Sequence, residues 1–387
     1  MSESSSIQSP LPTVYGSLLI TRPPVPATLN KAGANYKSEV AHLEYSPKRA
    51  FDEWRRICET IVKCGGDALF AFEECDEKYL DASSLRVDGD GQIYADDSKV
   101  ALGNISEVQT GRVFTANGPW VHISGKKISA VMQHMLPHRV LETSYYTDLL
   151  EAIAKSGGYT LSVTENPHRW EGMADITVVG DKVVLTYAVS GHYDEATTPK
   201  SGRSTLAGVT FAADTIGIPE SARIYAELIY PHFHGDTVHY GLRNSEGKGL
   251  LAHYAGGLWG EGSSQVCETL GAQQILTIGK DDAVEQYAGN SRQVLDGVLV
   301  PDKVSDKYQA DIEAQGLSCY RVPLFELFGK AGGGPGCATL YMPSNLELPE
   351  NAPMRFSQQS EAVATRRERL PDKLTVAPEF FEGRSRG

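Results

Sequence analysis

The sequence has little of what marks a membrane protein, a nucleic-acid binder or a disulfide-stapled scaffold. No apolar run comes near the roughly 18 residues that a membrane span requires. Positive charge is in the minority: 36 Lys and Arg face 49 Asp and Glu, for a formal net charge of −13. Duplex binding needs clustered Lys and Arg, so nucleic acid is not an expected partner. Cysteine is sparse, with six in 387 residues. The opening residues, MSESSSIQSPLPTVYG, carry neither a basic start nor an apolar stretch of the secretory kind. A cytoplasmic location with free thiols is therefore expected. The even count of Cys58, Cys64, Cys75, Cys267, Cys319 and Cys337 is no sign of pairing. No low-complexity linker interrupts the chain, which favours one large domain over several.

What is present is a globular composition, 41% hydrophobic and 22% charged, long enough to bury a core without staples. An acidic surface suits a cationic ligand, whose approach a negative field accelerates. Residues 1–14, rich in Ser and Pro, read as a mobile segment. Residues 344–387 mix Pro and charge with little periodicity and read as a C-terminal extension.

Between them one pattern recurs. A helical segment ends at a glycine and a short apolar strand follows. Ser46 and Pro47 open the first helix as N-cap and N1, and Phe51, Trp54, Ile57, Cys58, Ile61 and Val62 lie on one face. Gly65-Gly66 stops it, and Ala68 to Phe72 reads as a buried strand. The same grammar returns at Gly157-Gly158, Gly217, Gly271 and Gly316. Glycine after a helix is a general stop signal, but five cases in one chain indicate a repeated α/β unit. Hairpins lie between the units, at 176–187 around Gly180-Asp181 and at 238–254 around Asn244 to Glu246. Five such units would close into a ring whose loops converge on a central cavity; an open mixed sheet is the alternative.

Four segments carry candidate chemistry. Gly332-Gly333-Gly334-Pro335-Gly336-Cys337 holds a thiol on a backbone path with little side-chain bulk, which suits a nucleophile but also a plain turn with a buried structural Cys. In His232-Phe233-His234-Gly235-Asp236-Thr237, a His beside an Asp suits acid/base work. The alternatives are a metal site, with His239 joining, and a solvated loop. Glu171-Gly172-Met173-Ala174-Asp175 places two carboxylates where they can grip a planar cation or simply edge a turn. Phe114-Thr115-Ala116-Asn117 ends an apolar strand in a short polar residue, or in an ordinary Asn-Gly turn.

In that order along the chain, with Arg203-Ser204-Thr205 between, these segments resemble the motifs of the guanidino-group-modifying superfamily, the penteins. The likeness is nearest to the branch of dimethylarginine dimethylaminohydrolases and arginine dihydrolases, and amidinotransferases and arginine deiminases are related. It runs from about Tyr15 to Met342, so residues 15–343 form the expected catalytic domain. The segment near 76–111 reads as an insertion, and the loop Gly191 to Gly202 as an extended one. Trp170 stands where Phe is usual, and only Asn35-Tyr36 survives of an N-terminal motif.

The resemblance implies a five-bladed α/β propeller of ββαβ-like units with pseudo-five-fold symmetry. It implies Cys337 as nucleophile on the guanidinium carbon, His234 as acid and base, and Glu171 as its orienting partner. Asp175, Asn117 and Asp236 would bind the guanidine, and Arg203 and Arg139 the substrate carboxylate. The implied partner is a small-molecule guanidino compound, with no metal or cofactor, no nucleic acid and no membrane; a homodimer stays open. Hydrolysis of a C–N bond in arginine or a substituted arginine is the leading expectation and amidino transfer to an amine the second. A non-catalytic binder on this fold and a metalloenzyme using His232, His234 and His239 are the remaining rivals.

Overall fold

The computed structural model describes residues 16–26, 43–108, 111–188 and 203–382. The expected mobile segment 1–14, Asn35-Tyr36 and the loop Gly191 to Gly202 lie outside them. Five three-stranded sheets share one topology. In each, an antiparallel pair is followed by a strand parallel to its second member. The second to fifth sheets are contiguous in sequence. They are Trp120–Ser124, Lys127–Met132 and Thr160–Glu165; Ile176–Val179, Lys182–Tyr187 and Arg223–Glu227; His239–Arg243, Gly249–His253 and Ile275–Thr277; and Arg292–Val294, Gly297–Pro301 and Ser318–Val322. The first is different. Leu18–Ile20 pairs parallel with Asp67–Leu69, but its antiparallel partner is Leu340–Tyr341, from beyond the fifth unit.

A helix precedes the third strand of every unit: Pro47–Lys63, Thr143–Gly157, Leu206–Ile216, Gly262–Leu270 and Asp306–Glu313. Local chemistry sets their ends. The Ser46 hydroxyl accepts from the Arg49 amide, and the Thr205 and Ser305 hydroxyls cap their helices in the same way. At the other end Gly65, Gly158, Gly217, Gly271 and Gly316 all have φ between +66° and +86°, a region in which a side chain is strained. Two details depart from the sequence pattern. Val62 turns outward, 38% exposed. The strand after the first helix stops at Leu69, because the Phe70 amide leaves the sheet to bond the Met354 carbonyl of the C-terminal segment.

Hydrophobic cores lie between sheets rather than inside them. Ile20 with Ile128, Val131 with Ile176, Val184 with Leu251, and Leu250 with Val298 represent the cores joining first to second, second to third, third to fourth and fourth to fifth sheets. A further core places Val294 and Leu299 of the fifth sheet against Leu19 and Ala68 of the first. A small cavity is lined by first strands of several sheets, with Thr177, His239, Arg292 and Tyr341 on its wall.

The residues read as an insertion and as an extension meet in a sixth sheet. Its order is Glu44–Tyr45, Lys373–Val376, Ser84–Val87, Gln92–Ala95 and Ala101–Asn104, with Lys373–Val376 parallel to Ser84–Val87. Its apolar face, including Leu85, Ile93 and Leu374, joins the same core as Phe51, Trp54 and Ile57 of the first helix. Ion pairs centred on the buried Asp76 reinforce the junction: Arg112 meets both Glu73 and Asp76, and Arg366 of the C-terminal helix Ser360–Arg369 reaches Asp76 and the half-exposed Glu77.

Candidate active site

The glycine-rich loop carries Cys337 into the interior, where it is 4% exposed. Glycine is required there by close approach. A Cβ at Gly333 would strike the Phe114 ring, and one at Gly336 would press on the Asn290 backbone. The loop is laid against Asn290, whose side-chain oxygen accepts from the amides of Gly334 (2.8 Å) and Cys337 (2.9 Å) and whose carbonyl accepts from Gly336 (2.8 Å). Arg292, two residues on, donates to the carbonyls of Gly336 and Thr339 and to the Thr339 hydroxyl. The Cys337 thiol lies 3.2 Å from Asp236 Oδ2 and 3.0 Å from Asn290 Nδ2. Burial and the adjacent Asp236 push the thiol well above its ordinary range, so at rest it is a protonated thiol. Burial raises the Asp236 carboxyl as well, and its Oδ1 has no hydrogen-bond partner among the described residues.

The segment His234-Gly235-Asp236 is pinned from behind. The Gly235 amide donates to Asp175 Oδ1 at 2.8 Å, and the Thr237 hydroxyl donates to the His234 carbonyl at 2.7 Å. Any side chain at Gly235 would collide with Thr186. Asp175 also accepts from the hydroxyls of Thr186 (3.0 Å) and Ser204 (2.5 Å). Burial pushes its carboxyl up to about 6, against the pull of His234 and of these donors. The resemblance assigns Asp175 to the guanidine; its oxygens here accept from the Gly235 amide and from the Thr186 and Ser204 hydroxyls. In the structure it positions the His234–Asp236 loop and the Ser204 hydroxyl, which in turn accepts from the Glu171 amide.

His234 Nε2 sits 3.0 Å from Glu171 Oε2. The same carboxylate takes Arg203 at 3.1 Å and Arg139 at 3.6 Å. Burial alone would raise Glu171; Arg203, the hydrogen bond from His234 and Arg139 together hold it well below the usual carboxylate range. Asn117 joins this side: its amide nitrogen donates to the Glu171 carbonyl (3.1 Å) and lies 3.4 Å from His234 Nε2, and its oxygen accepts from Arg139 (2.8 Å). Arg139 is otherwise held by both Glu142 oxygens and the Gly111 carbonyl. Both arginines assigned to a substrate carboxylate thus face Glu171, and Arg139 has its donors engaged inside the protein. The two sides touch, because the Ala116 amide donates to the Cys337 carbonyl at 2.9 Å.

His232 and His239 do not converge with His234. His232 bonds the Thr237 hydroxyl, and His239 packs on His253 with ring centroids 5.7 Å apart. Among the described residues no group of three or more His, Cys, Asp or Glu is arranged to hold a metal ion. All six cysteines are unpaired, and no described helix is long and apolar enough to cross a membrane. Asn290, Thr186 and Glu142 are site residues that sequence reasoning misses, and Ser204 is named only as a motif neighbour of Arg203. Asn290 follows a glycine in a short polar stretch, and the pair reads as an unremarkable turn.

No protein-family model matches the chain, and no curated protein sequence does. Comparison with solved structures places it on the mixed α/β fold of the pentein structures. The N-terminal domain of ArgZ, described as an arginine dihydrolase from the ornithine–ammonia cycle in cyanobacteria and captured as a mutant bound to substrate, superposes with a TM-score of 0.59. The two share 20% identity over 84% of this chain and 97% of that one. AgrE, in a complex with ornithine and NAD+, gives a TM-score of 0.59 and 20% identity over 86% of this chain but only 40% of its own. A dimethylarginine dimethylaminohydrolase, bearing an adduct with 4-chloro-2-hydroxymethylpyridine, gives a TM-score of 0.52 and 16% identity over 84% and 99%.

Proposed function

We propose that the protein is a cysteine-dependent hydrolase of the guanidino C–N bond of arginine or a substituted arginine. The observation that carries this reading is a buried thiol against a carboxylate with an unpartnered oxygen, beside a His–Glu pair. A guanidinium carbon is weakly electrophilic because its charge is delocalised, so it needs a carboxylate to fix its plane, a thiolate to attack and an acid for the departing nitrogen. Asp236 grips the guanidinium through Oδ1. The cation offsets the negative charge that keeps the thiol protonated, the thiol's proton passes to the neutral His234 imidazole, and thiolate and imidazolium form together. Cys337 Sγ bonds to the central carbon, the C–N bond breaks, and His234 delivers a proton to the leaving amine. A water then gives its proton to His234 and its oxygen to the carbon, and the C–S bond breaks. Glu171 holds the imidazole, and Asn117 offers an amide to the guanidine. Arg203, stacked 5.3 Å from the Phe233 ring, is the arginine for a substrate carboxylate, while Arg139 fixes Asn117 and Glu171.

We also propose that the five sheets close into a five-bladed ring. The core shared by the fifth and first sheets and the completion of the first sheet by Leu340–Tyr341 support closure. Residues 15–343 would be the catalytic domain, with 76–111 and 344–387 joined as an accessory sheet. Amidino transfer to an amine is the second reading, since the same covalent intermediate serves both. Incubation with arginine and methylated arginines, with and without ornithine-type amines, separates them. Ammonia or alkylamine release without an added amine is the expected result. Turnover only with the added amine overturns hydrolysis.

A further inference from the structure

We infer that Asn290 is a catalytic residue of this site, the hydrogen-bond donor that carries negative charge on the Cys337 sulfur; the inference rests on Cys337 being the nucleophile.

The orientation of the Asn290 amide follows from its neighbours. Two backbone N–H groups, of Gly334 and Cys337, point at one end of it, and an N–H can only donate. That end must be the oxygen, so the end facing Sγ at 3.0 Å is the NH2 group. Its second hydrogen goes to the Asp236 carbonyl at 2.9 Å. The oxygen accepts twice and the nitrogen donates twice, which is the full capacity of the group, and Asn290 is 0% exposed. An amide so held has no freedom to turn away from the sulfur.

A donor facing sulfur acts on one protonation state. It interacts weakly with a neutral thiol and strongly with a thiolate, because hydrogen bonds to an ionised acceptor are shorter and about twice as strong. Among the described residues, Sγ has two hydrogen-bond partners. Asp236 Oδ2 favours the thiol, and Asn290 Nδ2 favours the thiolate. Arg292 draws the thiol toward ionisation from a distance, while among the described residues Asn290 is the hydrogen-bond donor that touches the sulfur and opposes Asp236 there. Negative charge stands on sulfur twice in the cycle, just before attack and again as the C–S electron pair returns. Asn290 meets it both times. Through the Asp236 carbonyl the same side chain also ties the nucleophile loop to the His234–Asp236 segment.

The test is the pH dependence of Cys337 alkylation by iodoacetamide, followed by mass spectrometry of the Cys337 peptide, in wild type, Asn290→Ala and Asn290→Ser. In Asn290→Ala the alkylation profile is expected to move to higher pH by about one unit, roughly tenfold in thiolate fraction. Its kcat on the guanidino substrate should fall on the order of 100-fold, with KM little changed. Asn290→Ser, which retains a short donor, should recover part of both losses. If Asn290→Ala does not fold, the intermediate profile of Asn290→Ser against wild type carries the same comparison. An unshifted profile in whichever variant folds overturns the inference, as does a rise in KM and loss of thermal stability with the profile in place, which would mark a purely structural role. Alkylation needs no substrate. A wild type that turns over no guanidino compound would therefore sink the proposed function and leave the Asn290 measurement standing.

Discussion

On one side of the site charged groups hold one another; on the other the neutral Asn290 amide and one arginine, Arg292, hold a glycine-rich loop. The Glu171 side gathers His234, Arg203, Arg139, Glu142 and Asn117, a network whose charges compensate inside a dry interior. The Cys337 side has one carboxylate, Asp236, and the thiol and that carboxyl both lie above their ordinary ranges. The difference teaches what each side is suited to. A saturated network is stiff and holds an imidazole at a fixed angle. A thiol and a carboxyl buried side by side suit the proposed reading, in which an arriving cation offsets the Asp236 charge and frees the thiolate. The predictions below probe that contrast.

The largest effect is expected at the proposed nucleophile. Cys337→Ser should reduce turnover by about 10⁴-fold or more while the melting temperature stays within about 2 °C. Retained ammonia or alkylamine release would end the comparison, since the Cys337 side would then have no chemistry to supply. On the charged side, Glu171→Gln leaves Arg203 and Arg139 buried beside a neutral amide. Removing one partner of a buried cluster costs about 3–5 kcal/mol, so urea unfolding should show a loss of that size together with reduced turnover. Stability unchanged by Glu171→Gln would mean that the network is not what holds this side.

Behind the site lie three buried histidines that belong to neither half. Burial holds His232 and His253 down at about 4, and His239 is held well below its ordinary range by burial and by its two histidine neighbours. The unfolded chain takes up these protons near pH 6.5 and the folded protein does not. Their contribution to stability is therefore complete above about pH 6.5 and is lost as pH falls toward 4. Two carboxyls work in the opposite sense, Glu53 at about 7 and Asp175 at about 6, both raised by burial. The decisive measurement is thus a difference. Urea unfolding of His253→Gln between pH 7 and pH 4 should show a shallower acid loss than wild type, and identical slopes would refute it.

Further out, Arg366→Met removes the cation that the C-terminal helix sets against Asp76 and Glu77. A loss of about 2–3 kcal/mol in urea unfolding is expected because the buried Asp76 carboxylate loses one of its cations, with kcat unchanged because none of these residues touches the site. A fall in kcat would instead make the sixth sheet part of the catalytic apparatus. The smallest effect belongs to the surface. Lys307→Ala breaks an exposed i,i+4 pair with Asp311 and should stay within about 0.5 kcal/mol by the same measurement.

Much of this was legible in residue order. The helix stops at Gly158, Gly217, Gly271 and Gly316 follow from local backbone chemistry, and the hairpin Ile176–Val179 with Lys182–Tyr187 has the bounds read on either side of Gly180-Asp181. The motif residues Asn117, Glu171, Asp175, Arg203, His234, Asp236 and Cys337 do lie in one connected cluster. Their partners were less legible. Val62 sits at a helical spacing that matches the core face yet turns out to solvent, because periodicity fixes an angle and not where the neighbouring element ends. The protein groups that bond Asp175 and Arg139 come from distant segments that no spacing names.

By itself the sequence determined the repeating unit and the residue types of the site, since capping, alternation and glycine stops act over a few residues. Only the tertiary structure decided which strand completes the first sheet, that Ser84 and Lys373, 289 residues apart, pair in a sixth sheet, and that Asn290 faces the sulfur. Those are choices among distant partners. They are settled by which surfaces can be buried together with every donor and acceptor satisfied, and no local stretch of chain contains that information.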